Sequence, residues 1–384
     1  MTEFKLTEFK FLCAPEVFAG QGSIEKIGGI VKNFNGHCAF VAIDKTFAQK
    51  TDIKEKIAGI LKSAGIESVI YDRVLPEPTT DTGNECAELG RKYNCDITIG
   101  IGGGSTLDTA KAVAALIKNP GRIEDYQGID KLKYPSVPKI MVPTTAGTGS
   151  EVTFTAVFIT PSKKQKAGIN SNYLFPEAAI LDPILTLGLP KGPTASTGMD
   201  AFCHAIESYL SKKSNFMTRP ISMEAMKLIW ENLPIAFEKP DHIQARENML
   251  YASFLAGIGL ANAGVTAVHS LSYPLGGLFG IAHGIGNAVL LPYVLESSIP
   301  YTSKEIEKIA YLLLDSKTEA MAFVKRLKEF QKSLGIPQTL GEINVPQNAI
   351  ERLAQDAMQV IVPLENHPVS LTNQDIIKIY RSAF

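Results

Sequence analysis

The sequence lacks a long uninterrupted apolar run, and with it the simplest signal of a membrane-spanning helix. Its most apolar region, Ala256 to Pro292, is broken by glycines, prolines and two histidines, which a lipid-facing helix does not tolerate without a purpose. Excess charge of either sign is also missing. The 38 Lys and Arg oppose 39 Asp and Glu, so the net charge of -1 leaves no electrostatic footprint for nucleic acid or an anionic membrane. Cysteine is sparse, and Cys13, Cys38, Cys86, Cys95 and Cys203 form no CxxC and no regular spacing. A disulfide framework and a zinc knuckle are thereby excluded, and the reduced thiols of a cytoplasmic protein are expected. The N-terminus, MTEFKLTEFKF, mixes charged and aromatic residues, so neither a signal peptide nor a membrane anchor is expected there. Its echo of TEFK fits a short strand and an artificial appendage equally. No GxSxG marks a nucleophile elbow, and no GxxxxGK[ST] marks a P-loop.

What is present divides in two. At 384 residues the chain exceeds one ordinary core, so two domains are expected. Up to about Pro183, short apolar runs alternate with amphipathic segments. The runs are Cys38–Asp44, Ser68–Val74, Ile97–Gly102, Lys139–Pro143 and Ala178–Leu181; the helical patterns are Ile24–Asn33, Phe47–Ala64, Thr82–Tyr93 and Leu107–Lys118. Val- and Ile-rich runs with helices between them indicate a parallel sheet covered on both faces, with ligands at one edge. After about Leu185 the helical period dominates, over Gly198–Ser211, Ile221–Leu233, Ala245–Leu260, Ile285–Leu295, Lys304–Leu314, Thr318–Leu334 and Gln374–Ser382. The expected fold is an α/β N-terminal domain with a parallel Rossmann-like sheet over residues 1–184, followed by an all-α C-terminal domain over 185–384. A ligand cleft is expected between them.

Two turns carry chemistry. Gly100-Ile-Gly-Gly-Gly-Ser105 follows one apolar run and opens a helical pattern, where glycines let a backbone approach a pyrophosphate and the helix presents free N–H groups. The spacing departs from GxGxxG, and a plain tight turn is the competing reading. Pro143-Thr-Thr-Ala-Gly-Thr-Gly-Ser150 follows another run. Two such turns in one sheet point to a dinucleotide more strongly than either alone. Asp44 ends the first long run, where a carboxylate either binds an adenosine ribose and repels a 2′-phosphate, favouring NAD over NADP, or is simply solvated.

Asp200 and His204 stand four apart on a helical pattern, so both heads share one face. His269 and His283 follow in a glycine-rich segment, Gly264–Asn287. Three of the six histidines thus lie in two otherwise apolar segments, which costs free energy unless something offsets the desolvation. One carboxylate and three neutral imidazoles suit Fe²⁺ or Zn²⁺ and fit Mg²⁺ or Ca²⁺ poorly. Glu207, one turn beyond His204, either supports a ligand or faces solvent. His37, His242 and His367 lie in polar neighbourhoods and are expected at the surface.

These residues resemble those of the iron-containing (group III) alcohol dehydrogenases. The resemblance rests on Gly102–Lys111, Pro143–Thr153, Gly198–Glu207 and His269–Gly277 with His283–Gly284, in family order, and spans Phe11 to the C-terminal helix. It implies a dehydroquinate synthase-like architecture and reversible hydride transfer between NAD(H) and a small primary alcohol, diol or aldehyde. It further implies a catalytic divalent metal, usually iron, on Asp200, His204, His269 and His283. Gly102, Gly103, Gly104 and Ser105 would hold the cofactor pyrophosphate, with Thr144, Thr145 and Thr148 lining the cleft. Asp108 would sit near the nicotinamide, Lys166 would contact the cofactor, and Asp44 matches the aspartate of NAD-preferring members. Homodimers or larger assemblies are implied as well. One position departs: many members carry a further histidine where this chain has Tyr273, a poor free base with a reference pKa of about 10. Phe254, Tyr273 and Phe279 are expected to line a site for a short neutral substrate. A lyase on the same architecture needs a basic pocket, and no Arg/Lys cluster flanks the metal motifs.

Overall fold

The computed structural model describes residues 8–13, 15–163 and 165–384, so the first TEFK copy lies outside the described residues. In chain order the strands are β1 (Glu16–Ala19), β2 (Cys38–Asp44), β3 (Glu67–Val74), β4 (Ile97–Gly102), β5 (Gly128–Ile129), β6 (Lys139–Pro143), β7 (Thr155–Thr160), β8 (Gln165–Asn170) and β9 (Ala178–Leu181). Six of them form one sheet in the order β1-β9-β6-β4-β2-β3, every pair parallel. The cause is visible in the residues: β4, β6 and β9 are buried along their whole length, as strands covered on both faces must be. All five expected strands are present, with β3 starting one residue early; β1 adds an edge.

The covering helices are α1 (Ile27–Asn33), α2 (Lys45–Lys50), α3 (Ile53–Ser63), α4 (Thr80–Lys92), α5 (Gly104–Lys118) and α6 (Ile123–Tyr126). The helix expected over Phe47–Ala64 is broken, because Thr51 is extended and α3 starts anew after Asp52. A second small sheet, β5-β8-β7, was not evident in the pattern; β7 and β8 form an antiparallel hairpin beside α5. The chain leaves β2 for β3 on one side and returns to β4 on the other. That reversal opens a crevice beyond the carboxyl ends of β2 and β4, at Asp44 and Gly102.

From Lys191 onward the structure is helical: α7 (Lys191–Leu210), α8 (Thr218–Glu238), α9 (Ile243–Ala263), α10 (Ala267–Phe279), α11 (His283–Leu314), α12 (Ala320–Ser333), α13 (Ile350–Met358), α14 (Ile361–Asn366) and α15 (Asn373–Ser382). The patterns at Ile285–Leu295 and Lys304–Leu314 are two parts of the single helix α11. Helices α10, α13 and α14 were not anticipated. His367 corrects the surface expectation: it is 3% exposed, with Nε2 3.2 Å from the Ser298 hydroxyl. Among the described residues no single helix is long and apolar enough to cross a membrane; α9 and α10 qualify only as a pair bent by 104°. The loop after β6 meets the C-terminal helices without room for side chains. A Cβ on Gly149, at φ 60°, would come within 2.6 Å of the Gly257 Cα on α9.

Candidate metal centre and cofactor cleft

Three helices deliver the four expected ligands. Asp200 and His204 lie one turn apart in α7, whose alanines and aromatics bury that face; they are 3% and 4% exposed. His269 sits in the first turn of α10, and His283 is the first residue of α11. Asp200 Oδ1 lies 3.8 Å from His204 Nε2, 3.9 Å from His269 Nε2 and 3.8 Å from His283 Nε2. One ligand atom from each of the four falls within 4.8 Å of every other. Donors about 2.1 Å from a tetrahedral ion are about 3.4 Å apart, so this set is close to the spacing that one cation requires.

The electrostatics suit a cation. Burial alone would push the Asp200 carboxyl up, but the three imidazoles and the Asn287 amide outweigh it and hold it below the usual carboxylate value. Burial pushes His283 down to about 3 and also lowers His204, so both are neutral imidazoles with lone pairs available at neutral pH. Burial opposes a charge on His269 too, but Glu207 outweighs it and raises that pKa. The lone pairs of His204 and His283 and the Asp200 carboxylate face one point and repel each other unless a positive group stands between them. The donor set therefore fits a borderline divalent ion.

Asn287, which sequence reasoning passed over, is built into this arrangement. Its amide nitrogen donates to Asp200 Oδ1 at 2.7 Å and lies 3.1 Å from His269 Nε2 and 3.2 Å from His283 Nε2, while its carbonyl accepts from Ser272. It stands one turn after His283, and that spacing was the only available signal. Glu207 is resolved as a support. It is 2% exposed, accepts from His269 Nδ1, and takes the Thr266 N–H (2.9 Å), the Thr266 hydroxyl (2.8 Å) and the Val268 N–H (3.0 Å). One carboxylate from α7 thus caps α10 and orients His269 so that Nε2 faces the other ligands. Burial opposes the charge on Glu207, but His269 and the Thr266 donors hold it ionised. The Tyr273 ring stands beside His283, with centroids 5.6 Å apart, and burial pushes its phenol up to about 12, so it stays protonated.

At the crevice, Gly102, Gly103, Gly104 and Ser105 turn from β4 into the 15-residue helix α5, whose N-cap Gly103 makes no side-chain cap bond. Its first N–H groups therefore remain for an anion. Two of these glycines leave no room for a side chain: a Cβ on Gly102 would meet Thr106 Oγ1 at 2.6 Å and Asp44 Cβ at 3.0 Å, and one on Gly104 would meet Thr148 at 2.6 Å. Thr145 lies against Gly103, and the Thr144 N–H bonds the Gly102 carbonyl at 3.0 Å. Asp44, the glycine turn, Thr144, Thr145 and Thr148 are thus brought together. Asp44 also caps α2, accepting from Phe47 N at 2.8 Å. Asp108 is more committed: its oxygens accept from Ser150 (2.6 Å) and Val157 N (2.9 Å), and Lys111 stands 3.8 Å away. Lys166 projects from β8 and pairs with Glu77 at 2.6 Å. Its positive charge opposes protonation of His269 and His283, and its partner Glu77 also bonds the Ser105 hydroxyl of the glycine turn at 3.1 Å.

The comparisons with known proteins agree with this geometry. Residues 14–183 match the family model described as iron-containing alcohol dehydrogenase, and residues 194–384 match the C-terminal model of the same family. The chain belongs to the iron-containing alcohol dehydrogenases. The NAD-dependent methanol dehydrogenase of Bacillus methanolicus is 36% identical over 379 residues, covering 97% of this chain and 99% of that one. The 1,3-propanediol dehydrogenase of Klebsiella pneumoniae is 36% identical over 386 residues, covering 98% and 99%. Among solved structures, a 1,3-propanediol oxidoreductase superposes with a TM-score of 0.94 at 34% identity, covering 98% of this chain and all of that chain. The resemblance read from the four motifs is therefore correct, and the chain is an oxidoreductase of the alcohol dehydrogenase class.

Proposed function

We propose that this iron-containing alcohol dehydrogenase interconverts a small primary alcohol or diol and its aldehyde, with NAD(H) as hydride carrier and a divalent metal on Asp200, His204, His269 and His283. The observation that carries the reading is the convergence of those four ligand atoms within 4.8 Å, beside a dinucleotide-type crevice. On this reading residues 1–184 form the cofactor-binding domain and residues 185–384 the metal-binding domain. When bound, the metal supplies Lewis acidity that lowers the pKa of an alcohol hydroxyl, and the nicotinamide accepts the hydride.

The chain's own residues supply the positioning. Gly103, Gly104 and Ser105 offer backbone donors at the positive end of α5 to the pyrophosphate. Asp44 faces the ribose and disfavours a 2′-phosphate, so NAD is preferred over NADP. Thr144, Thr145 and Thr148 wall the cleft, Lys166 contacts the cofactor, and Asp108 is held near the nicotinamide end by Ser150 and Val157. Glu207 fixes the His269 tautomer, and Asn287 fixes the Asp200 rotamer. Tyr273, protonated at neutral pH, forms a wall of the substrate space rather than a base. The ligand set accepts Fe²⁺ and also Zn²⁺. The edge strand β1, with Val17 44% exposed, supports a homodimer, and the free cysteines support a cytoplasmic setting.

The test is NADH formation with a panel of short alcohols and diols, on chelator-stripped protein reloaded anaerobically with Fe²⁺, Zn²⁺ or nothing. Activity restored by one metal, and lost in His269→Ala, is the expected result. Silence with every metal and alcohol, despite bound metal and bound NADH, would overturn the simple-alcohol reading.

A further inference from the structure

Glu77 occupies an unusual place. It lies in the loop after β3 between Pro76 and Pro78, with φ 55°, a left-handed conformation that an acidic side chain of this length adopts only at some cost. The loop is nonetheless firmly held. The Pro78 carbonyl accepts from Ile159 N at 2.9 Å, and Thr79 bridges Ile159 on β7 and caps α4 through Thr82 N at 3.2 Å. Two bonds run outward from Glu77. Its N–H donates to the Ser105 hydroxyl at 3.1 Å, and its carboxylate takes Lys166 Nζ at 2.6 Å. The carboxylate therefore reaches from the β3 loop, across the start of α5, to β8.

That position matters for any anion entering the cleft. Because Ser105 Oγ already accepts from Glu77, its own proton is free to point into the crevice as a donor. Lys166 is the cation of this rim, its side chain 18% exposed, and its charge opposes protonation of His269 and His283. A pyrophosphate at the head of α5 would attract that ammonium, and Glu77 already holds it. The Glu77 side chain, 43% exposed, adds a negative charge at the mouth where another negative charge must bind.

We propose that Glu77 and Lys166 form a clasp across the dinucleotide cleft, in which Glu77 competes with the cofactor pyrophosphate for Lys166 and thereby speeds cofactor release. The clasp rests on the dinucleotide reading given above. Glu77 is a positioning residue: it acts through Lys166 and Ser105 rather than on the reacting atoms. Removing its charge frees Lys166 for the cofactor and tightens binding by roughly fivefold, the scale of one partly exposed ion pair. The gain shrinks with added salt, because the Debye length is about 8 Å at physiological ionic strength and shorter above it.

The experiment is NADH binding to the full chain by fluorescence titration, with dissociation rates by stopped flow, at two salt concentrations. Glu77→Gln is expected to lower the NADH Kd and the dissociation rate about fivefold at low salt. Glu77→Asn, whose short side chain suits φ 55°, must behave in the same way, which separates charge from backbone strain. Lys166→Met is expected to weaken binding, and in that background Glu77→Gln is expected to change the Kd less than twofold. Wild-type binding with unchanged Kd in both Glu77 variants would overturn the clasp and leave the dinucleotide reading standing. Weaker binding in both variants, with and without Lys166, would overturn it in favour of a direct hydrogen bond from Glu77 to the cofactor. A wild-type chain that binds no NADH would overturn the dinucleotide reading and the clasp together.

Discussion

Glu151 and Lys111 show how much of a residue's chemistry is decided by where it ends up. Both belong to the motifs around the cofactor turns, and both are almost wholly buried, with Glu151 Oε1 lacking any hydrogen-bond partner. Burial pushes Glu151 from 4.5 up to about 7 and Lys111 from 10.5 down to about 8, each partly opposed by the other's charge. For Glu151 the folded pKa is the higher one. Below pH 4.5 both states hold the proton; between there and pH 7 the unfolded chain releases it and the fold does not. Its contribution to stability is therefore fully present below the unfolded pKa and is lost as pH rises through about 7. Glu151→Gln is expected to gain about 2 kcal/mol on wild type between pH 5 and pH 8. Urea unfolding of the chelated protein at the two pH values measures this, and an equal wild-type-to-variant difference at both would remove the claim. The position of Glu151 in a motif was legible from the sequence; the missing partner and the dry surroundings were not.

Among the elements, α11 departs most from the residue pattern. Two helical patterns, Ile285–Leu295 and Lys304–Leu314, were expected with Pro300 between them, yet one helix runs from His283 to Leu314 and takes in both Pro292 and Pro300. A proline leaves the carbonyl four residues earlier without a donor. For Pro292 that carbonyl is Ala288, and Gln331 of α12 donates to it from Nε2 at 2.7 Å while itself 1% exposed. A side chain 43 positions away in sequence has repaired the helix. Gln331→Met is expected to cost about 1–3 kcal/mol by orphaning that carbonyl. In a Pro292→Ala background the same change should cost little, since residue 292 then has an N–H to donate. Chemical unfolding of the four proteins in this cycle decides it, and additive costs would show that Gln331 acts only by packing. The hairpin β7–β8 and helix α10 were missed for related reasons. The alternation in Thr155–Thr160 is one short run, and Pro274 with Gly276 and Gly277 masks the helical period that carries His269.

At the scale of the molecule, the ligand cluster ties α7, α10 and α11 together through side chains 83 residues apart in sequence, from Asp200 to His283. A cation bound there favours the folded chain alone, so it stabilises by mass action, about 2.7 kcal/mol at a free concentration of 100 times its Kd. Adding Fe²⁺ or Zn²⁺ to stripped protein is expected to raise the Tm, and Asp200→Asn is expected to abolish most of that shift. An unchanged Tm over a wide range of metal would count against the four residues as one binding site.

The order of runs, turns and spacings along the chain was enough to determine the parallel sheet, the helical second half, the glycine turn and the four residues that converge in one cluster. These depend on local period and on residue chemistry, which any segment carries with it. Only the tertiary structure decided that Glu207 and Asn287 orient those ligands, that His367 is buried, that Gln331 completes α11, and that Glu77 meets Lys166 across the cleft. Each of those depends on which distant atoms share a dry neighbourhood. No local pattern encodes that, because desolvation and hydrogen-bond pairing are set by packing and not by position along the chain.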